Sequence, residues 1–175
     1  TKGQYSPTSG QGLNTKSTPY GSVDRPFSPM KFALGAGSSF FARTMDTDPK
    51  HMIEVFKAAN NHRGTSVIEV YQNCVIFNDK VHDKFTNRKT RDDHTVRVEA
   101  GKPMIFGKDK DQGIKLNGFK LESGSFSDEK ELVVHDPSAG SLAHMLSDLT
   151  DVVPMGVLNQ IENQPVYDRD VQEQI

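Results

Sequence analysis

Two aromatic or β-branched runs bracket one helical pattern between residues 39 and 71, and that order constrains the fold more than any other feature of the chain. Ser39 to Thr44 (SFFART) reads as a strand with Phe40, Phe41 and Ala42 buried. Asp46 or Thr47 then offers a side-chain oxygen to the free N–H groups of a helix start, and Pro49 suits the first turn. Met52, Ile53, Val55, Phe56 and Ala59 recur near helical spacing, and Asn60 to Gly64 stops the helix. TSVIEVYQ follows as a strand of buried type, carrying Val67, Ile68, Val70 and Tyr71. A helix of that length between buried strands implies a parallel pair with a right-handed crossover. Working residues in such sheets sit past the carboxyl ends of the strands. Here those ends are Arg43, Thr44 and Asp46 for the first strand, and Gln72, Asn73 and Cys74 for the second.

The 175 residues suit one ordinary domain. Before the βαβ pattern, residues 1–29 are dense in Gly, Ser, Thr and Pro, which fits either a tail or a long functional loop. Pro29 opens a short helix bearing Met30, Phe32, Ala33 and Leu34. After Asn78 a charged helical stretch (NDKVHDKFTNRKTRDD) leads into short strands at Val96–Glu99, Met104–Phe106 and Ile114–Leu121. ELVVHD is a further candidate strand. Ser141 to Leu149 reads as an amphipathic helix, and PMGVLNQIE as a final edge strand opened by Pro154. The polar C-terminal stretch NQPVYDRDVQEQI looks loosely held.

Composition removes several function classes. The formal net charge is -2, so sequence-independent nucleic-acid binding lacks its electrostatic driver. No apolar run approaches the ~20 residues of a membrane helix. No apolar signal segment opens the chain, and one Cys cannot form an internal disulfide, which fits a reducing, cytoplasmic setting. The six histidines show no HxH or HExxH spacing, and no GxSxG, Walker-type or GxGxxG motif occurs. Cys74 is the most informative single residue. A buried free Cys is usually packing. A thiolate at a strand's carboxyl end is also a nucleophile or a soft-metal ligand, and one Cys would need metal ligands from outside the chain. In the opening TKGQ, Thr1 offers a hydroxyl and a backbone N–H, Lys2 a cation and Gly3 close backbone approach, a set that suits a diphosphate. Lys16 and Arg25 add cations along the same loop, with solvated side chains as the default.

TKGQYSPTS, TKSTPYGSVDRPFSP, FFARTMDTDPKHMIEV and GTSVIEVYQNCVIFND together resemble the beta subunit of 2-oxoacid:ferredoxin oxidoreductases, the 2-oxoglutarate branch in particular. The resemblance runs from Thr1 to about Asp79 and continues more loosely through RVEAGKPMIFG and SLAHMLSDL. The family carries an earlier half with a CxxC-type cysteine set and a GDG motif for thiamine diphosphate and magnesium. This sequence has neither, and it looks like the C-terminal part of a longer polypeptide. The resemblance implies an α/β fold: residues 1–79 as part of a thiamine-diphosphate-binding parallel-sheet domain, and 80–175 as a small α+β C-terminal extension. It implies Thr1 against the cofactor's diphosphate, and Lys2 holding a coenzyme A phosphate or the substrate's distal carboxylate. It makes Cys74 the last ligand of a [4Fe-4S] cluster. The implied activity is oxidative decarboxylation of a 2-oxoacid to an acyl-CoA, with electrons passed to ferredoxin by a complex that includes an alpha subunit. A subunit acting on pyruvate or another 2-oxoacid, and a non-catalytic interaction module with Cys74 as packing, are the alternatives.

Overall fold

The structure is a computed structural model and describes residues 3–175. The expected strand–helix–strand unit is present. Strand β1 (Phe40–Met45) and strand β2 (Ser66–Tyr71) pair in parallel, from Phe40 opposite Ser66 to Met45 opposite Tyr71. The first helix, α1 (Pro29–Gly35), precedes them, and α2 (Pro49–Asn61) connects them. The cap of α2 is Asp48, one or two residues later than Asp46 or Thr47: its carboxylate accepts the His51 N–H at 3.3 Å, with Pro49 at the first helical position.

β1 is buried at all six positions, whereas β2 is only half-buried. β2 lies at the edge of a four-stranded sheet whose order is β2, β1, the strand Val153–Gln160 and the strand Thr95–Arg97, so it lacks a second neighbour among the described residues. Strand β3 is Thr95–Arg97 and β7 is Val153–Gln160. The C-terminal strand is therefore central, not an edge. It runs antiparallel to β1 and parallel to β3. Pro154 is tolerated there because β1 pairs with β7 only between Gly156 and Gln160, beyond the proline's missing N–H.

Between β3 and β7 the chain builds a second, antiparallel sheet from β4 (Ile105–Phe106), β5 (Gln112–Asn117) and β6 (Lys120–Ser125). The run Ile114–Leu121, expected as one strand, folds instead as a hairpin. Gly118 takes φ +61 at the first loop position, as a type II′ turn requires. ELVVHD is not a regular strand. Glu129–Glu131 forms a 3₁₀ turn closed by a capping box with Asp128, and Leu132 and Val134 then make only isolated bridges to Lys115 and Pro103. The charged stretch after Asn78 yields two single turns, α3 (Asp83–Thr86) and α4 (Arg91–His94), separated by a turn in which Thr90 N–H bonds the Asn87 carbonyl. Helix α5 (Gly140–Leu146) appears where expected, and the tail ends in an exposed helix, α6 (Tyr167–Glu173).

The sheet is covered on both faces. Phe41, Leu158 and Val96 pack with Met30 of α1, Leu142 and Leu146 of α5, and Met104 and Ile114. Phe40 and Ala42 pack against Val55 of α2. Each fully buried Phe of β1 contributes about 1.5–3 kcal/mol through the apolar area it removes from water. Residues 3–28 form neither a helix nor a regular strand. Their backbone folds back on itself through bonds such as Gly12 N–H to Ser22 O (2.8 Å) and Phe27 N–H to Pro7 O (2.7 Å). Among the described residues no helix is long and apolar enough to cross a membrane.

The small sheet also sets an acid sensitivity. Lys115 and Ser127 hold the Glu131 carboxyl down to about 2, from an ordinary 4.5. A carboxylate lowered by folding stabilises above its unfolded value, and that contribution disappears as pH falls through the folded one. The melting temperature should therefore drop as pH falls from about 4.5 to about 2. Glu131→Gln should flatten that drop in a pH series of thermal melts, and an unchanged slope would remove Glu131 from the acid response.

Candidate functional site

Because β1 and β2 are parallel, both of their carboxyl ends emerge at one side of the sheet. The residues there have different fates. Thr44 is fully buried and turns toward α2, its hydroxyl 3.0 Å from His51 Nδ1. Arg43 is buried and fully engaged. Its Nε donates to Glu69 on β2 at 2.7 Å, one terminal nitrogen donates to the Pro154 carbonyl of β7, and the guanidinium lies 5.6 Å from the Tyr71 ring centre. Neither is available to a ligand. Tyr71 stacks on His82 with ring centres 4.5 Å apart and planes 14° from parallel, and Phe85 leans on it at 6.0 Å. Burial raises the Tyr71 phenol and lowers the His82 imidazole, so both stay neutral near pH 7.

The segment that leaves β2 carries the chemistry. Cys74 was expected at the end of a buried strand, but the structure exposes it on a loop. β2 stops at Tyr71, and Cys74 opens a tight turn whose ends meet in a bridge between Cys74 and Asn78, with Asn78 N–H on the Cys74 carbonyl at 2.9 Å. Hydrogen bonding from the turn's backbone, Phe77 foremost, holds the thiol below its ordinary value. Hydrogen bonding of that kind favours an anionic sulfur. Packing is therefore not the role of this side chain. Val75, Ile76 and Phe77 on the same turn are also exposed.

Beneath the turn, Asp46 follows the last residue of β1. One carboxylate oxygen accepts the Asn73 N–H at 3.4 Å, and the other is buried with no hydrogen-bond partner. Gly3, in the opening TKGQ, sits beside the same turn at φ +92. A methyl group added to it would stand 3.4 Å from Phe77 Cδ1. Two motifs some seventy positions apart thus meet at one place. Thr1 and Lys2 lie outside the described residues. Lys16 and Arg25 are exposed.

Among the described residues no three His, Cys, Asp or Glu side chains come together as a metal site. The donor set nonetheless fits one corner of an iron–sulfur centre: a soft sulfur, accessible, with its negative charge offset by backbone N–H groups. The remaining ligands would have to come from outside this chain. Two features escaped the sequence reading. The Arg43–Glu69 pair had a signal, since an Arg inside SFFART needs a partner once buried. The Tyr71–His82 stack had none.

No family model matches the chain. It is 37% identical to the 2-oxoglutarate oxidoreductase subunit KorB of Mycobacterium tuberculosis, over its whole length and 48% of that protein. It is 40% identical to the 2-oxoacid:ferredoxin oxidoreductase subunit beta of Saccharolobus solfataricus over 48% of the chain and 27% of that protein. It is 42% identical to the 2-oxoglutarate synthase subunit KorB of Archaeoglobus fulgidus over 42% of the chain and 28% of that protein. In structure it is similar to a chain of 2-oxoglutarate:ferredoxin oxidoreductase from Magnetococcus marinus, solved with 2-oxoglutarate, coenzyme A and succinyl-CoA bound. That likeness has a TM-score of 0.68 at 22% identity and covers 99% of this chain and 46% of the other. The chain spans about half the length of the first of these relatives.

Proposed function

Because the chain is a homologue of 2-oxoacid:ferredoxin oxidoreductase beta subunits along its whole length, we propose that it forms the C-terminal part of such a subunit, of the 2-oxoglutarate type. Residues 1–79 would belong to the thiamine-diphosphate-binding domain and 80–175 to its C-terminal extension. The complex would include an alpha subunit and convert 2-oxoglutarate and coenzyme A to an acyl-CoA and carbon dioxide, reducing ferredoxin. Thiamine diphosphate with Mg²⁺ supplies the electron sink for decarboxylation, and a [4Fe-4S] cluster carries electrons singly.

This chain's own residues bind and orient. Thr1 would contact the diphosphate through its hydroxyl and backbone N–H. The Lys2 ammonium would hold an anion, the distal carboxylate of the substrate or a phosphate of coenzyme A, as a compact point charge. Cys74 would donate one thiolate to the cluster, from a thiol that backbone hydrogen bonding already holds below its ordinary value. The observation that supports the reading is the approach of Gly3, from the TKGQ motif, to Phe77 of the Cys74 turn.

The test is ferredoxin reduction by the full-length beta subunit assembled with its alpha partner. Turnover should require coenzyme A and be faster with 2-oxoglutarate than with pyruvate. Lys2→Ala should raise the KM for 2-oxoglutarate or coenzyme A about tenfold or more, the worth of one hydrogen bond to a charged group. A preference for pyruvate would move the substrate assignment, and wild-type KM values for both ligands would end the role of Lys2.

A further inference from the structure

The Cys74 turn is an exposed loop that packing cannot hold. Val75 is 73% exposed, Ile76 79% and Phe77 52%. Its shape depends on hydrogen bonds: the backbone bridge between Cys74 and Asn78, and outside it two bonds from one side chain. The Asn73 carboxamide oxygen accepts the Lys80 N–H at 2.8 Å, and its nitrogen donates to Asp79 Oδ1 at 2.8 Å. The Asn73 backbone N–H reaches down to Asp46 at the end of β1. Lys80 takes φ +62, a conformation disfavoured for a side chain with a Cβ, where its N–H meets the amide. Asn73 thus ties the start of the loop to its end and to the sheet, while Cys74 lies one residue along.

We infer that Asn73 is a positioning residue for the iron centre: its amide bridge across Asp79 and Lys80 fixes the direction in which the Cys74 sulfur leaves the turn. The inference rests on the reading of Cys74 as a cluster ligand. A carboxamide is required because it donates and accepts at once. Aspartate has the same shape and accepts from Lys80, but it faces Asp79 with a second carboxylate, so the bridge opens.

The test uses the full-length beta subunit loaded with iron and assembled with its alpha partner, in four forms: wild type, Asn73→Asp, Asn73→Asp with Asp79→Asn, and Cys74→Ala. The double variant exchanges donor and acceptor and rebuilds the bridge. Two readouts are independent of turnover: hydrogen exchange at the Lys80 amide, and the electron paramagnetic resonance signal and midpoint potential of the reduced centre. Asn73→Asp should speed Lys80 exchange about tenfold, as expected for one lost hydrogen bond, and shift the signal and potential. The double variant should return all three toward wild type. An unshifted signal in Asn73→Asp, or a double variant no closer to wild type than the single one, would overturn the inference. Iron retained in full by Cys74→Ala would instead overturn the ligand reading beneath it. A thermal melt of each form separates misfolding from displacement, and the exchange pair with its rebuilt bridge decides the matter if the single variant folds poorly.

Discussion

Under the proposed function, Cys74→Ala should strip most of the iron from the full-length subunit assembled with its partner and leave the fold of this chain untouched. The side chain is exposed, so alanine there removes no packing, and an exposed substitution of this kind changes stability by no more than about 0.5 kcal/mol. In the proposed ligand role its loss should have a much larger effect, on iron content. The neighbouring donors are backbone N–H groups and cannot replace a thiolate. Among the described residues no other side chains gather into a metal site that could substitute. The measurement is iron per subunit and visible absorbance after anaerobic reconstitution, beside a thermal melt. Full iron with wild-type colour would end the ligand assignment. Low iron with a depressed melting temperature would mean that the residue holds the fold instead.

The largest effect on stability should come from Glu69→Ala. It removes the carboxylate that meets the Arg43 guanidinium at 2.7 Å, with the Arg43 side chain only 9% exposed. A charge left without its partner in that setting costs about 3–5 kcal/mol. Domains of this size have about 5–15 kcal/mol in total, so the variant should lose a large fraction of its stability. The bonds from Arg43 to the Pro154 carbonyl and the ring face of Tyr71 soften the loss without neutralising the charge. Replacing both members with apolar residues, Arg43→Met with Glu69→Leu, should recover most of it, since the expense lies in the unpaired ion more than in the pair. Urea unfolding of the three forms decides this. A double variant as weak as Glu69→Ala would show that the pair itself is what stabilises.

Much of the central unit was legible from residue pattern alone. SFFART and TSVIEVYQ carry β-branched and aromatic residues, the helix between them is amphipathic and begins at a proline, and together these require a parallel pair. What pattern could not supply was long-range partnership. The position of the last strand depends on which neighbours it finds, and an isolated proline points to an edge even though β1 stops short of it. The break between β5 and β6 falls at Gly118, where the apolar positions also pass from even (Ile114, Leu116) to odd (Phe119, Leu121). Cys74 was placed correctly at the exit of β2, but its exposure was misjudged, because apolar neighbours suggest burial and Val75, Ile76 and Phe77 face outward. Asn73 looked like any polar residue beside it. Its two bonds to residues six and seven positions away exist only once the turn has closed.

The Arg43–Glu69 contact has a consequence for how the two parallel strands find their alignment. Successive side chains along a strand point to opposite faces, so a slip by one position would bring Arg43 opposite Ile68 or Val70 and leave a guanidinium buried among hydrocarbon. The contact therefore selects one register: a slipped pairing of β1 and β2 leaves the Arg43 guanidinium without its carboxylate. Only the correct threading brings Asp46 beneath Asn73, so fidelity deep in the sheet is passed outward to the sulfur at its rim.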